Sequence, residues 1–162
     1  MSSKKHFSNS IFKHSQITQL IKQWGENKKT VFTNGCFDIL HLGHVEYLFK
    51  ASKLGEKLIV GLNSDFSIKQ IKGTTRPIQN EKSRASVLAS LQFVDAVVLF
   101  NEETPLKLIE VIRPQVLVKG GDYDIKHIIG SDFVLAYGGK VKTIPFIKGH
   151  STSSIIDKIK NG

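Results

Sequence analysis

Hydrophobic residues along this chain follow two alternating patterns. Short, nearly continuous apolar runs are typical of buried parallel strands, and stripes spaced by three and four residues are typical of helices. The runs that predict strands are residues 30–33, 57–62, 94–100, 116–118 and 140–144. Strands and helices alternate throughout, which predicts βα units with right-handed crossovers. We therefore predict an α/β fold: a Rossmann-like, doubly wound parallel sheet of about five strands in a single domain.

The first fifteen residues differ from the rest of the chain. They carry Ser, Lys, His and Asn without sustained periodicity, which is typical of a mobile leader. A helical stripe then begins at Ile17 and ends at Gly25, and neither a linker nor an internal repeat follows it. Residues 1–15 are accordingly expected to be a leader, and residues 16–162 one domain of ordinary size.

The composition excludes several classes of protein. Hydrophobic residues make up 40% and charged residues 23%, which is ordinary for a soluble globular protein. No apolar run approaches the length of a membrane span, and the start lacks the apolar core of a signal peptide. The single cysteine, Cys36, fits a reducing compartment. A cytoplasmic protein that does not enter a membrane is expected.

The chain has a net charge of +9, which suits polyanionic partners. These partners include nucleic acids, nucleotides and sugar phosphates. The lysines are dispersed along the chain and few aromatic residues lie among them, which is typical of a solvated surface. Nucleic-acid binding is therefore not expected, and small anionic substrates remain.

Residues 30–55 carry the most informative pattern. The first predicted strand ends at Asn34-Gly35, and a helical stripe follows, so His41 and His44 fall at the start of a helix. This position lies at the carboxyl end of a strand, where open α/β sheets bind ligands. The first turn of a helix attracts phosphate, and residues three apart share one face. With Gly43 leaving room between the histidines, the stretch predicts a triphosphate cradle.

Two later loops have similar chemistry at strand ends. Lys119-Gly120-Gly121-Asp122 follows the fourth strand, and His150-Ser151-Thr152-Ser153-Ser154 follows the fifth. In isolation, the first would be an ordinary turn and the second a helix cap. Because the carboxyl ends of parallel strands meet at one crevice, we expect both loops to join the histidine pair.

The second strand is followed by further candidate residues. Asn63-Ser64-Asp65 is a strand exit and a helix cap, and Lys72 and Arg76 lie in a loop with no apolar anchor. That loop is either an exposed turn or, beside a phosphate site, a clamp for a second anionic substrate.

These motifs resemble those of a known family. Gly35-Cys36-Phe37-Asp38 with His41-Leu42-Gly43-His44 resembles the GxFD…HxGH signature of the cytidylyltransferase-like nucleotidyltransferases. Phe93-Val94-Asp95-Ala96-Val97 and Ser151-Thr152-Ser153-Ser154-Ile155 resemble later blocks of the same family, so that the resemblance covers residues 29–159.

Within the family, residues 34–41, 72–77 and 118–123 are most similar to the heptose-1-phosphate adenylyltransferases. These occur as the second domain of a bifunctional heptose kinase/adenylyltransferase or as separate chains, and the lack of a kinase domain here implies the stand-alone form. Two positions depart from other relatives: Cys36 replaces a common Thr, and Gln92 replaces an Arg of the glycerol-3-phosphate cytidylyltransferases.

The resemblance implies transfer of AMP from ATP to a heptose 1-phosphate, with Mg²⁺, in the synthesis of a lipopolysaccharide precursor. The nearest alternative is a cytidylyltransferase that uses CTP and glycerol 3-phosphate or choline phosphate. Two further alternatives are a nucleic-acid-binding module and a nucleotide sensor without turnover. Dimerisation is common in folds of this kind, so a homodimer is expected.

The resemblance and the loop positions together assign roles to individual residues. The catalytic residues are His41, His44 and Lys119. The nucleotide-binding residues are Asn34, Gly35, Cys36, Phe37, His41, His44, Lys119, Gly121, Asp122, Ser151, Thr152 and Ser153. The residues that face the sugar phosphate are Asp38, Asn63, Asp65, Lys72, Arg76 and Arg84. No set of protein ligands for a metal is predicted.

Overall fold

The computed structural model of the chain describes residues 6–25 and 27–162. The strands in these ranges are β1 (Ile11–Phe12), β2 (Thr30–Gly35), β3 (Lys57–Asn63), β4 (Ala96–Phe100), β5 (Val116–Gly120) and β6 (Lys140–Ile144). The helices are α1 (His14–Trp24), α2 (Leu42–Ser52), α3 (Asp65–Lys72), α4 (Glu81–Ala89), α5 (Leu106–Ile112), α6 (Ser131–Ala136) and α7 (Thr152–Asn161). Two short 3₁₀ turns lie at Phe7–Ser10 and Ile125–His127.

All six strands form one parallel sheet in the order β1-β4-β3-β2-β5-β6. After the edge strand β1, the chain enters the middle of the sheet at β2, continues through β3 to β4 on one side, and then returns to β5 and β6 on the other. The direction of winding thus reverses beside β2, which lies between β3 and β5. A crevice opens at such a reversal at the carboxyl ends of the strands. The predicted Rossmann-like, doubly wound fold is confirmed.

The sheet has one more strand than the sequence pattern predicts. Residues Ile11 and Phe12 pair with Val97 and Val98 of β4 at the edge of the sheet. A two-residue strand is too short to show a periodicity, which is why the pattern did not reveal it. The predicted leader therefore includes an edge strand, while residues 1–5 lie outside the described residues.

Helices cover both faces of the sheet because successive strand residues point to opposite sides. Val31 and Val60 are fully buried on the face covered by α2 and α4. Phe32 and Ile59 are fully buried on the face covered by α1, α5 and α6. Burying an aliphatic or aromatic side chain of this size contributes roughly 1.5–3 kcal/mol. The two cores fix the sheet and leave its carboxyl edge free for polar loops.

None of the helices in the described ranges is both long enough and apolar enough to cross a membrane.

Candidate active site

A cavity of about 480 Å³ opens at the carboxyl edge of the sheet. Its walls come from the loops after β2, β3, β4, β5 and β6. The predicted site residues that line it are Asn34, Gly35, Cys36, Phe37, Asp38, His44, Asn63, Lys72, Arg76, Lys119 and Thr152. The structure therefore brings residues from five separate segments of the sequence prediction into one cavity.

The other predicted residues do not line this cavity: His41, Asp65, Arg84, Gly121, Asp122, Ser151 and Ser153. His41 stacks against the lining residue His44. Gly121 follows the lining residue Gly120, and Ser151 and Ser153 flank Thr152. These residues are neighbours of the cavity wall, whereas Asp65 and Arg84 have a structural role that is described below.

The two histidines lie at the start of α2. His41 is the residue before the helix, with extended φ and ψ of −137° and 171°, and His44 is in the first turn. Their rings are stacked, with centroids 3.7 Å apart and an angle of 21° between the planes. A Cβ on Gly43 would lie 3.1 Å from the His41 ring and 3.2 Å from Cβ of His150, so a larger residue would disturb this stack. The edge of Phe37 packs on His44 at 5.2 Å.

Both imidazoles have a depressed pKa. Burial, with smaller effects from His41 and Lys72, lowers the pKa of His44 to about 4. Burial and the nearby His150 also lower the pKa of His41. Among the described residues, no hydrogen-bond partner reaches the buried Nδ1 atom of either ring. At neutral pH the free protein thus presents two uncharged imidazoles, each with one N–H to donate. A bound polyanion would favour their protonated forms.

Lys119 lies on β5, next to the point where the winding reverses, and lines the same cavity. Burial lowers the pKa of its ammonium group, and the nearby Cys36 opposes this shift. A partly desolvated ammonium interacts with phosphate more strongly than one in water, because the effective dielectric constant is lower.

Asp38 is hydrogen-bonded to the loop that follows α3. Its side chain is only 1% exposed, and its Oδ2 accepts hydrogen bonds from Arg76 Nε at 2.9 Å and Ile78 N at 2.8 Å. Its Oδ1 accepts from Gln79 N at 3.0 Å. Burial alone would raise the pKa of Asp38, but the two N–H groups and the Arg76 guanidinium hold it below its ordinary value. Both carboxylate oxygens thus bind the loop after α3, and the predicted contact of Asp38 with the sugar phosphate stays a prediction.

Arg84 also has a structural role. Its Nη1 donates to the carbonyl oxygens of Cys36 at 2.7 Å and Asn63 at 2.9 Å, and its Nε donates to Gln79 O at 2.9 Å. Its Nη2 forms an ion pair with Asp65 at 2.7 Å, and the Arg84 side chain is fully buried. Arg84 therefore ties together the loops after β2 and β3, and the predicted contacts of Arg84 and Asp65 with a substrate stay predictions.

The amino end of α7 combines capping with attachment to the site. Ser151 Oγ accepts from Ser154 N at 3.0 Å, so Ser151 caps the helix. Thr152 Oγ1 donates to the carbonyl oxygen of Asp38 at 2.7 Å, which fixes α7 beside the β2 loop. The exposed Ser153 and the first-turn N–H groups of α7 remain candidates for phosphate contacts.

The sequence prediction missed several residues of the wall: Tyr47, Ile71, Glu103, Thr104, Pro105, Tyr123, Ile129 and Phe146. Tyr47 could have been found, because it follows His44 by one helical turn on the same face. Glu103, Thr104 and Pro105 follow β4, a strand end to which no role was assigned. Tyr123 and Phe146 carry no anion-binding group, so a search for phosphate chemistry did not select them.

The described residues offer no ready-made set of protein ligands for a metal ion. In the ranges 6–25 and 27–162, no three or more His, Cys, Asp or Glu residues lie close enough together to hold a metal ion. A magnesium ion usually keeps several waters and binds through substrate phosphates. A cavity rich in cations is compatible with an ion that arrives on a nucleotide.

Comparison with known proteins supports the family predicted from the sequence. The family model described as cytidylyltransferase-like matches residues 32–158. Relatives named "Bifunctional protein HldE" are 55% identical over 135 residues in Geotalea uraniireducens and 52% identical over 155 residues in Campylobacter jejuni subsp. jejuni. These matches cover 83% and 96% of this chain but 28% and 32% of the relatives. The chain thus spans about three-tenths of their length.

Solved structures show the same fold. A lipopolysaccharide core biosynthesis protein from Thermoplasma volcanium is 30% identical with a TM-score of 0.60, and the match covers 76% of this chain and 100% of that one. A pantoate-beta-alanine ligase from Francisella tularensis, complexed with beta-gamma ATP and beta-alanine, is 16% identical. Its TM-score is also 0.60, over 93% of this chain and 76% of that one, and it shows likeness of fold alone. Since the family model spans most of the chain, including the histidine pair and the cap of α7, the chain belongs to the cytidylyltransferase-like family of nucleotidyltransferases.

Proposed function

We propose that the chain transfers AMP from ATP to a heptose 1-phosphate, giving ADP-heptose and pyrophosphate. The observation that carries this proposal is the stacked His41–His44 pair at the amino end of α2, beside a cavity that also contains Lys119. The choice of sugar and nucleotide rests on the resemblance of residues 34–41, 72–77 and 118–123 to heptose-1-phosphate adenylyltransferases. The similarity to the HldE proteins supports the same choice.

The chemistry of the cavity differs between its two ends. Lys72 and Arg76 lie at the end formed by the loop after α3, and both are cations that suit the phosphate of an acceptor. Lys119, on β5, and Thr152, the first residue of α7, line the other end of the cavity. We assign this second end to the nucleotide. The two substrates would then approach each other next to His44.

The proposed reaction requires no general base. A sugar phosphate is already ionised at neutral pH, so one of its oxygens attacks the α-phosphorus of ATP directly. The bond between that phosphorus and the oxygen bridging to the β-phosphate breaks, and the electron pair leaves with pyrophosphate. Catalysis then depends on aligning the two anions and stabilising the negative charge that develops.

The histidines and Lys119 would supply that stabilisation. The depressed pKa of His44 means that the ring is neutral before the nucleotide binds. Triphosphate in the cavity would raise this pKa, so a proton would be taken up as the nucleotide binds. The protonated ring donates from both nitrogens, one of which can face the departing pyrophosphate. Burial makes these charge-assisted hydrogen bonds stronger than they would be in water.

Magnesium would enter with ATP. The phosphate oxygens and water would hold it, since magnesium favours such ligands over an all-protein cage. When bound, the ion neutralises part of the charge on the polyphosphate. The chain's own residues orient the two anions around it.

A release assay tests the proposal. Pyrophosphate production would be measured with ATP, CTP or GTP, each combined with heptose 1-phosphate, glycerol 3-phosphate or choline phosphate. We expect the highest kcat/KM for ATP with heptose 1-phosphate. A preference for CTP with glycerol 3-phosphate or choline phosphate would establish the cytidylyltransferase alternative. Salt-dependent binding of oligonucleotides without pyrophosphate release would indicate a nucleic-acid-binding module instead.

Two further expectations belong to this proposal: a cytoplasmic location and a homodimeric assembly. Cell fractionation tests the first, and light scattering coupled to size exclusion tests the second.

A further inference from the structure

Two aromatic rings pack against the Gly120–Gly121 segment at the end of β5. A Cβ on Gly121 would lie 2.9 Å from Cε2 of Tyr123 and 3.3 Å from Cε2 of Phe146. A Cβ on Gly120 would overlap the Phe146 ring. Gly121 also has a φ of +108°, which side chains rarely adopt. The two consecutive glycines therefore allow both rings to lie directly on the backbone beside Lys119.

Both rings remain open to solvent on the cavity side. Tyr123 is 53% exposed and Phe146 is 57% exposed, although both line the cavity. Ligand sites are typically lined by apolar and aromatic side chains with a few polar groups that set the orientation. Here Lys119 and the α2 first turn supply the polar groups, and the two rings supply the apolar surface. This arrangement fits a ligand with an anionic part and a flat apolar part.

Phe146 lies close to Tyr47 of α2, the helix that also carries His44. Its ring centroid lies 6.1 Å from that of Tyr47, and Tyr47 follows His44 by three residues on α2. Residues three apart in a helix are neighbours on one face. A ligand with its phosphates at His44 could therefore extend past Tyr47 to Phe146.

We propose that Tyr123 and Phe146 form the nucleobase subsite and select a purine over a pyrimidine. This inference rests on the proposed function, in that it takes the anionic ligand to be a nucleoside triphosphate. A sugar offers only a small C–H face to an aromatic ring, whereas a nucleobase has two flat faces that stack on aromatic rings. A bicyclic base covers more of the two exposed rings than a monocyclic one and so gains more from stacking.

Binding in the absence of an acceptor tests the subsite. The affinities of ATP, CTP and inorganic tripolyphosphate would be measured by titration calorimetry for the parent protein and for Phe146→Leu and Tyr123→Leu. We expect ATP to bind roughly 10- to 100-fold more weakly to each variant, the range typical for losing a stacked base. CTP should lose less affinity than ATP, and tripolyphosphate, which has no base, should bind as before.

Two further variants serve as controls. Phe66→Leu removes an aromatic ring that is 62% exposed on α3 and does not line the cavity, so the affinity for ATP should not change. Phe146→Tyr keeps an aromatic face and should retain most of the affinity. Thermal unfolding of every variant identifies any change that reflects loss of folded protein.

Two results would overturn the subsite. They are unchanged ATP affinity in both leucine variants and an equal loss of affinity for ATP and tripolyphosphate. The proposed function fails in a different way: the parent protein would bind ATP but release no pyrophosphate with any acceptor. In that case base-dependent binding by the two rings would still be measurable.

Discussion

The Arg76 guanidinium is held against the buried carboxylate of Asp38, with Nη2 2.8 Å and Nε 2.9 Å from the same oxygen. The Arg76 side chain remains 16% exposed and lines the cavity. Because Nε and Nη2 are both engaged, the direction in which Nη1 points is set by Asp38. Asp38 is thus a positioning residue for the cation that we assign to the acceptor phosphate.

Replacing Asp38 with Asn should impair both stability and acceptor binding. The amide can accept at one atom only, so at least one of the buried N–H groups of Ile78 and Gln79 loses its partner. We expect a loss of about 3 kcal/mol in the free energy of unfolding, typical of breaking a buried ion pair. The KM for the acceptor should rise at least tenfold while the affinity for ATP changes much less.

Urea denaturation and steady-state kinetics measure these two effects. Glu56→Gln is a suitable control, since it breaks the exposed Lys28–Glu56 pair and should leave both properties near those of the parent. Equal changes in the KM for acceptor and ATP would show that Asp38 does not act through Arg76.

The histidine pair should dominate turnover. His41→Ala or His44→Ala should lower kcat by a factor of about 100 or more, which is the scale of losing one preorganised donor in a transition state. His14→Ala, on α1 and away from the cavity wall, provides the matched control. Pyrophosphate release at saturating ATP and acceptor measures the effect. Full activity in both single variants would remove the proposed mechanism.

The depressed pKa of His44 also predicts how stability depends on pH. The folded-state pKa of about 4 lies below the ordinary value of 6.5, so the unfolded chain binds more protons between these values. The free energy of unfolding is therefore unaffected by the titration of His44 above pH 6.5, and it falls as the pH drops from 6.5 towards 4. The upper limit of this loss of stability is about 3 kcal/mol, which is the difference between the two pKa values multiplied by the free energy of one pKa unit.

Unfolding free energies at pH 7.5 and pH 4.5 measure this contribution. His44→Gln retains a polar side chain of similar size but does not titrate. We expect the parent protein to lose more stability than this variant over the same change in pH. Parallel losses in the two proteins would show that His44 titrates normally.

The local pattern of residue types was sufficient to predict those parts of the site whose residues lie close together in the sequence. The β2 end, the histidine pair and α2 follow one another directly, and strand and helix periodicities identify them. Arg84 shows what such patterns do not contain. Its partners Cys36 and Asn63 are 48 and 21 residues away, and nothing in the spacing distinguishes a buried guanidinium from a substrate clamp. The partners of Asp38 likewise belong to a distant segment, whereas β1 was missed because two residues are too few to show a periodicity.

Arg84 therefore deserves a direct test of its structural role. Arg84→Met keeps much of the side-chain volume but leaves three carbonyl oxygens, those of Cys36, Asn63 and Gln79, without the guanidinium donor. We expect a loss of about 3–5 kcal/mol in the free energy of unfolding, as for removing one partner of a buried charge pair. Denaturation in urea measures the loss. A variant as stable as the parent, but inactive, would restore the predicted contact between Arg84 and a substrate.

Cys36 offers a way to observe nucleotide binding without any substitution. It is the single cysteine of the chain, it is partly exposed, and it lines the cavity near Lys119. A nucleotide bound between the β2 loop and β5 would cover the thiol, so ATP should slow its reaction with a thiol reagent at least severalfold. The rate would be followed at fixed pH with increasing ATP, and its midpoint should match the dissociation constant from calorimetry. Glucose, which carries no phosphate, should leave the rate unchanged. If labelling proceeds equally fast with saturating ATP, the nucleotide does not lie against the Cys36 wall of the cavity.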